Sequence, residues 1–260
     1  MMQPCKDTGL SAWDQVSCYC ERALNPDFWA EPMNAMSSLA FLFAAALIYT
    51  DLRTSSLRRG KGRILALIGL LVAVGAGSFM FHTYATRWAH LADVTPIAVF
   101  VAVYMVVALM WFLNMSLLPA LAISGAVVAL TVGMFLCGGP IPTGICTFLG
   151  STLNGSLAYV PALIALALVG TLLHRRKHGA TDWVLSALCV FTVSLVLRTI
   201  DGWPKAAPMG CMVREMGERT VALGTHSLWH ILNAVMLYLL LRALIENGPD
   251  LRHSREGGNP

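Results

Sequence analysis

"VTPIAVFVAVYMVVALMWFLNMSLLPALAISGAVVALTVGMFL", residues 94–136, contains no Asp, Glu, Lys or Arg, and the charge-free run continues to residue 173. One bilayer crossing takes roughly 20 apolar residues, so this run alone has room for three or more. The remainder agrees: of 260 residues, 57% are hydrophobic and 12% charged, whereas a soluble globular domain is about a quarter charged. Mean hydropathy is +0.66. Lipid is the solvent this composition suits, and the chain reads as an all-α, polytopic membrane protein.

Working outward, seven apolar helices are expected, at about 34–50, 64–85, 93–112, 117–136, 155–173, 182–200 and 223–244. Residues 1–33 lack an apolar core behind a basic start. They read as a polar extracytoplasmic segment, not a signal peptide. Residues 34–245 form the seven-span domain, and the Gly- and charge-rich stretch 246–260 reads as a loose cytoplasmic tail. Orientation follows from the basic residues. The loop after span 1 carries Arg53, Arg58, Arg59, Lys61 and Arg63; the loop after span 5 carries Arg175, Arg176 and Lys177; the C-terminal end carries Arg242, Arg252 and Arg255. All fall on one face of a seven-span chain, so the C-terminus is expected in the cytoplasm and the N-terminus outside.

This topology gathers polar side chains at one depth. "GAGSFMFHTYATRWAHLAD", residues 75–93, runs Ser78 and His82 out along span 2 and opens span 3 with Asp93. Span 7 opens from the same side with "GTHSLWHILNAV", residues 224–235, which carries His226 and His230. Residues spaced i, i+4 share a helical face, so both pairs point one way. Three neutral imidazoles with an open fourth position make a catalytic zinc site, where water is acidified toward neutrality. Asp93 is placed to orient that water and carry its proton, and Ser78 to hydrogen-bond the oxyanion formed by attack. The set suits metal-assisted hydrolysis. Ionisable groups inside spans are rare and usually functional, yet other readings of these residues stay open. A single His near a helix end is often only interfacial. Paired His residues also ligate haem iron, and the small residues Gly75 and Gly77 suit close helix packing. His90, His174, His178 and His253 receive no role.

These residues resemble the signature of the alkaline ceramidases, seven-span zinc amidases related to the adiponectin receptors. The likeness rests on "GAGSFMFH", Asp93 and "THSLWHILNAV". Two further stretches agree: "FWAEPMNAMSSLAFL" at residues 28–42 and "LRTID" at residues 197–201. The resemblance implies zinc on His82, His226 and His230, with Ser78 and Asp93 completing the catalytic centre. The implied reaction is hydrolysis of ceramide, or a related N-acyl sphingolipid in the membrane, to a sphingoid base and a fatty acid. The site would lie near the non-cytoplasmic face. A seven-helix receptor-like or signalling protein with a non-catalytic zinc site is the alternative. Nothing points to a nucleic acid or a protein partner.

The resemblance also implies calcium, held by an acidic N-terminal run and a later Glu. Here the run is "CYCERA", residues 18–23. Glu21 and Glu31 match, but Cys18 and Ala23 stand where the family has Asp and Asn, with Asn25 and Asp27 as the substitutes at hand. Calcium takes six to eight hard oxygen ligands, and Arg22 adds an opposing charge, which argues against calcium here. Six of the seven cysteines fall in outer segments of this topology, where disulfides persist; Cys189 alone is mid-span. The family likeness implies Cys20 with Cys211, and Cys137 with Cys146 is a further candidate pair.

Overall fold

The computed structural model describes residues 6–7, 11–17, 19–22, 27–137, 153, 155–202, 209–216 and 219–249. Among them are seven helices long and apolar enough to cross a bilayer: spans 1 to 7 at Pro32–Thr54, Lys61–Tyr84, Arg87–Leu113, Leu117–Met134, Ser156–Arg175, Thr181–Gly202 and His226–Glu246. The protein is an all-α, multi-pass membrane bundle, as its composition requires. Helices satisfy every backbone donor and acceptor internally, which hydrocarbon demands. The packed interior is shared by spans 1, 2, 3, 5, 6 and 7, through residues such as Ile48, Leu67, Phe100, Phe191 and Leu241.

Several ends differ from expectation, each for a local reason. Span 1 starts on Pro32, a residue without an N–H to leave unsatisfied in a first turn. Span 3 starts six residues early, at Arg87, so Asp93 lies inside the helix rather than at its mouth. Span 7 starts at His226 because the residues before it pair as strands. β3 (Cys211–Met216) and β4 (Arg219–Gly224) form an antiparallel hairpin, with Cys211 opposite Gly224. A second, smaller pair joins β1 (Lys6–Asp7) to β2 (Val16–Ser17). The helix of span 7 continues to Glu246, and residues 250–260 of the expected tail lie outside the described residues.

Two devices fold the N-terminal segment over the mouth of the bundle. Its backbone pairs with the turn between spans 2 and 3, where the Val16 N–H donates to the Ala85 carbonyl at 2.6 Å and the Arg87 N–H to Asp14 at 3.1 Å. A disulfide between Cys20 and Cys211 then ties it to β3, across 191 residues of sequence. Cys189 is the free cysteine among the described residues. Cys5, Cys18 and Cys146, and the side chain of Cys137, fall outside them, so the second candidate pair does too.

Candidate metal centre

Close packing brings spans 2 and 3 together at one point. A methyl group on Gly77 would sit 2.0 Å from the Ala92 carbonyl oxygen, and one on Gly75 would sit 3.1 Å from Phe41 and Leu42 of span 1. That Ala92 carbonyl is the one a normal residue at position 96 would bond; Pro96 has no N–H to offer. The exposed carbonyl rests against the bare backbone of Gly77, and Asp93 and Ser78, next along each chain, come face to face. Packing and chemistry thus use the same "GAGS".

His82, His226 and His230 are buried and converge, with one candidate ligand atom from each lying within 4.8 Å of the others. For His82 and His230 the surroundings fix which nitrogen carries hydrogen. The His82 Nδ1–H donates to the Glu31 carboxylate at 2.5 Å. The His230 Nδ1–H donates to the Asn34 carbonyl at 3.0 Å, with the Ser37 hydroxyl 2.8 Å away. A carboxylate and a carbonyl only accept, so both Nε2 atoms are left as bare lone pairs. His82 Nε2 and His226 Nδ1 are buried without a protein hydrogen-bond partner, and His230 Nε2 lies 3.3 Å from the Ser78 hydroxyl. Buried ring nitrogens left without a hydrogen-bond partner are costly unless another group, such as a cation, satisfies them. Carboxylate and carbonyl partners on the far nitrogen are the usual support of a metal-bound imidazole. The residues fit a metal ion.

The layer opens on a cavity of about 320 Å³, whose walls include Ser78, Asp93, His226, His230, Tyr159 and Arg198. Tyr19 also lines it, its ring centre 3.9 Å from that of His226. Burial drives the Tyr19 phenol far above its ordinary value, so it faces the cavity as a neutral hydroxyl. A deeper apolar cavity of about 110 Å³ continues into the bundle past Phe100, Met105, Leu166 and Leu237. Phe41, Val74, Tyr159 and Trp229 line both. His90, given no role from sequence, also lines the outer cavity.

Residues outside the expected set hold the layer in place. Asp201 is buried, and its Oδ1 accepts the His226 N–H at 3.0 Å, at the positive end of span 7. Asn34, Ser37 and Ser38 lie in the first turns of span 1 against His230. The quoted stretches containing Asn34 and Asp201 were the available signal: polar residues at span ends with no solvent-facing reason to be there.

Glu21 and Glu31 are both near the site, but neither is free for calcium. The Glu21 oxygens accept the Met33 and Asn34 N–H groups at 2.6 and 2.9 Å, where the first turn of span 1 leaves donors unpaired. Burial raises Glu21, and those two bonds counter it in part. Glu31 accepts from His82, from Arg22 Nε at 2.6 Å and from Asn34 Nδ2 at 3.1 Å. Burial pushes Glu31 up, but the His82 ring and the Arg22 guanidinium outweigh it and hold the carboxyl below its ordinary value. With those oxygens committed and a guanidinium among them, these residues do not fit calcium. Cys18, Ala23 and Asn25 lie outside the described residues.

Among known families, the model described as Ceramidase matches residues 18–247. No curated protein matches the sequence.

Proposed function

The chain belongs to the Ceramidase family, and from that premise we propose that it is a zinc-dependent amidase cleaving ceramide or a related long-chain N-acyl lipid within the membrane. The observation that carries the proposal is the set of three buried imidazoles, converging with one ligand atom each within 4.8 Å of the others, beside a cavity that also holds Ser78 and Asp93. His82, His226 and His230 would hold the zinc, which would supply an acidified water and polarise an amide carbonyl.

The chain's own groups do the rest. The Asp93 carboxylate takes a proton from the attacking water and returns it to the leaving amine nitrogen. The Ser78 hydroxyl donates to the carbonyl oxygen as negative charge develops there. Glu31, through His82 Nδ1, and Asn34, through His230 Nδ1, keep both imidazoles turned with Nε2 inward. The deeper apolar cavity is suited to a lipid chain, and the lining it shares with the outer one supports a pose with the amide beside the histidines. The basic loop at residues 51–63 leaves the end of the bundle remote from the histidines. That supports a cytoplasmic C-terminus and a site near the opposite face. The Cys20–Cys211 disulfide at the site end supports the same orientation.

The test is zinc content and hydrolysis of a fluorescent ceramide on one detergent preparation, beside His230→Ala. Stoichiometric zinc and turnover, both lost in the variant, are expected. Zinc without hydrolysis of any of several N-acyl lipids would replace the amidase with the receptor-like alternative.

A further inference from the structure

We infer that Arg22 is a built-in cation, occupying by covalent means the place of the calcium ion that the family resemblance implies, and that the protein binds no calcium there. The guanidinium is 1% exposed and its ion-pair partner Glu31 is 2% exposed. Nε donates to Glu31 Oε1 at 2.6 Å, Nη1 to the Asp27 carbonyl at 3.0 Å, and Nη2 to the His82 carbonyl at 3.3 Å. One carboxylate and two backbone carbonyls converging on one positive charge is what a hard cation would gather. Here a planar guanidinium meets them with its fixed fork of donors.

The consequence is architectural. These three acceptors come from the N-terminal segment, from the residue just ahead of span 1 and from the end of span 2. Arg22 therefore pins the N-terminal segment to the helix end that presents His82, and it holds the carboxylate on which His82 Nδ1 depends. A bound ion does this only when calcium is abundant, whereas a side chain does it in any medium. A calcium ion entering as well would meet the guanidinium charge at contact distance, with the oxygens of Glu21 and Glu31 already engaged. Arg22 is thus a positioning residue, remote from the reacting atoms.

The experiment uses the purified full chain, first stripped with a calcium chelator. Equilibrium dialysis against radioactive calcium and thermal unfolding with and without millimolar calcium are read on the wild type. Neither depends on whether the zinc reading holds. No stoichiometric binding and an unchanged unfolding midpoint are expected; one bound calcium per chain, or a midpoint raised by several degrees, overturns the assignment. Arg22→Gln removes the charge and is expected to lower the midpoint by roughly 5–15 °C, as losing one partner of a buried pair does. Arg22→Lys keeps the charge without the fork and should recover part of that loss. A wild-type midpoint in Arg22→Gln, or an Arg22→Lys no better than Arg22→Gln, also overturns it. If Arg22→Gln does not fold, the calcium measurements on the wild type still decide.

Discussion

Span 4 and span 7 both pass as membrane helices on length and apolarity, yet 56% of the span 7 window is buried inside the bundle and only 11% of the span 4 window. Between helices in lipid, apolar surface gives no preference for inside over outside, because the lipid tails are as apolar as leucine. What sorts the two is their polar content. Span 7 carries His226, His230 and Asn233, each buried, and Asn233 bonds across to Ser194 of span 6 at 2.8 Å. Span 4 offers Ser124, which reaches the Ala102 carbonyl of span 3 at 2.9 Å, and Thr131, which lines the cavity beside the histidines, and shows leucines such as Leu118 and Leu130 outward. Spans 2 and 3, which bring Ser78, His82 and Asp93, side with span 7. Hydropathy marks which segments cross; buried polar groups mark which segments form the centre.

The strongest way to break this contrast is at a polar group that makes no structural bond across the bundle except within the site. Asp93→Asn keeps the size and burial of the side chain but cannot accept a proton. Turnover is expected to fall by roughly a hundred- to ten-thousandfold, the span over which a positioned general base contributes, with zinc content near that of the wild type. A near-normal rate in steady-state ceramide hydrolysis would remove Asp93 from the proton-carrying role.

A milder break acts on spacing alone. Gly77→Ala adds one methyl group, aimed at the Ala92 carbonyl oxygen, and alters no functional group. Spans 2 and 3 must separate by a fraction of their contact distance, carrying Ser78 away from Asp93. A misplacement near 1 Å costs on the order of a hundredfold, so a ten- to hundredfold loss of kcat with zinc retained is expected. Unchanged kcat would mean that the glycine serves packing and nothing more.

The same contrast explains what could be read from the chain directly. Seven spans were legible because hydropathy adds over some twenty residues and tolerates errors at the ends. The ends themselves moved where local pairing intervened. Leu223 and Gly224, expected to open span 7, instead close β4, paired to Met212 and Cys211. Ser78, His82, Asp93, His226 and His230 stood out because each is polar at a matched depth. The supports did not stand out. Glu31 lies 51 residues from His82 in sequence, and its pairing with His82 and Arg22 exists only once the N-terminal segment folds back over the bundle. No spacing rule links those positions. Arg22 could be read only as a charge opposing calcium; the carbonyls it bonds, of Asp27 and His82, have no signature in sequence at all.

The smallest expected effect lies on the lipid side. Leu118 of span 4 is 79% exposed and touches none of the groups that hold the site. If span 4 faces lipid there, Leu118→Ala trades one apolar surface for a smaller one against the same tails. The unfolding midpoint should hold, since surface changes of this kind stay within about 0.5 kcal/mol, and hydrolysis should be unaltered. The comparison with span 7 gives this result its force. Both helices are apolar, so a large loss from Leu118→Ala would mean that span 4 is covered by another chain and that low burial within one bundle does not identify a lipid face. An unchanged midpoint and rate would leave the division standing, with polar groups inside, where they are held, and leucine outside, where lipid makes no distinction.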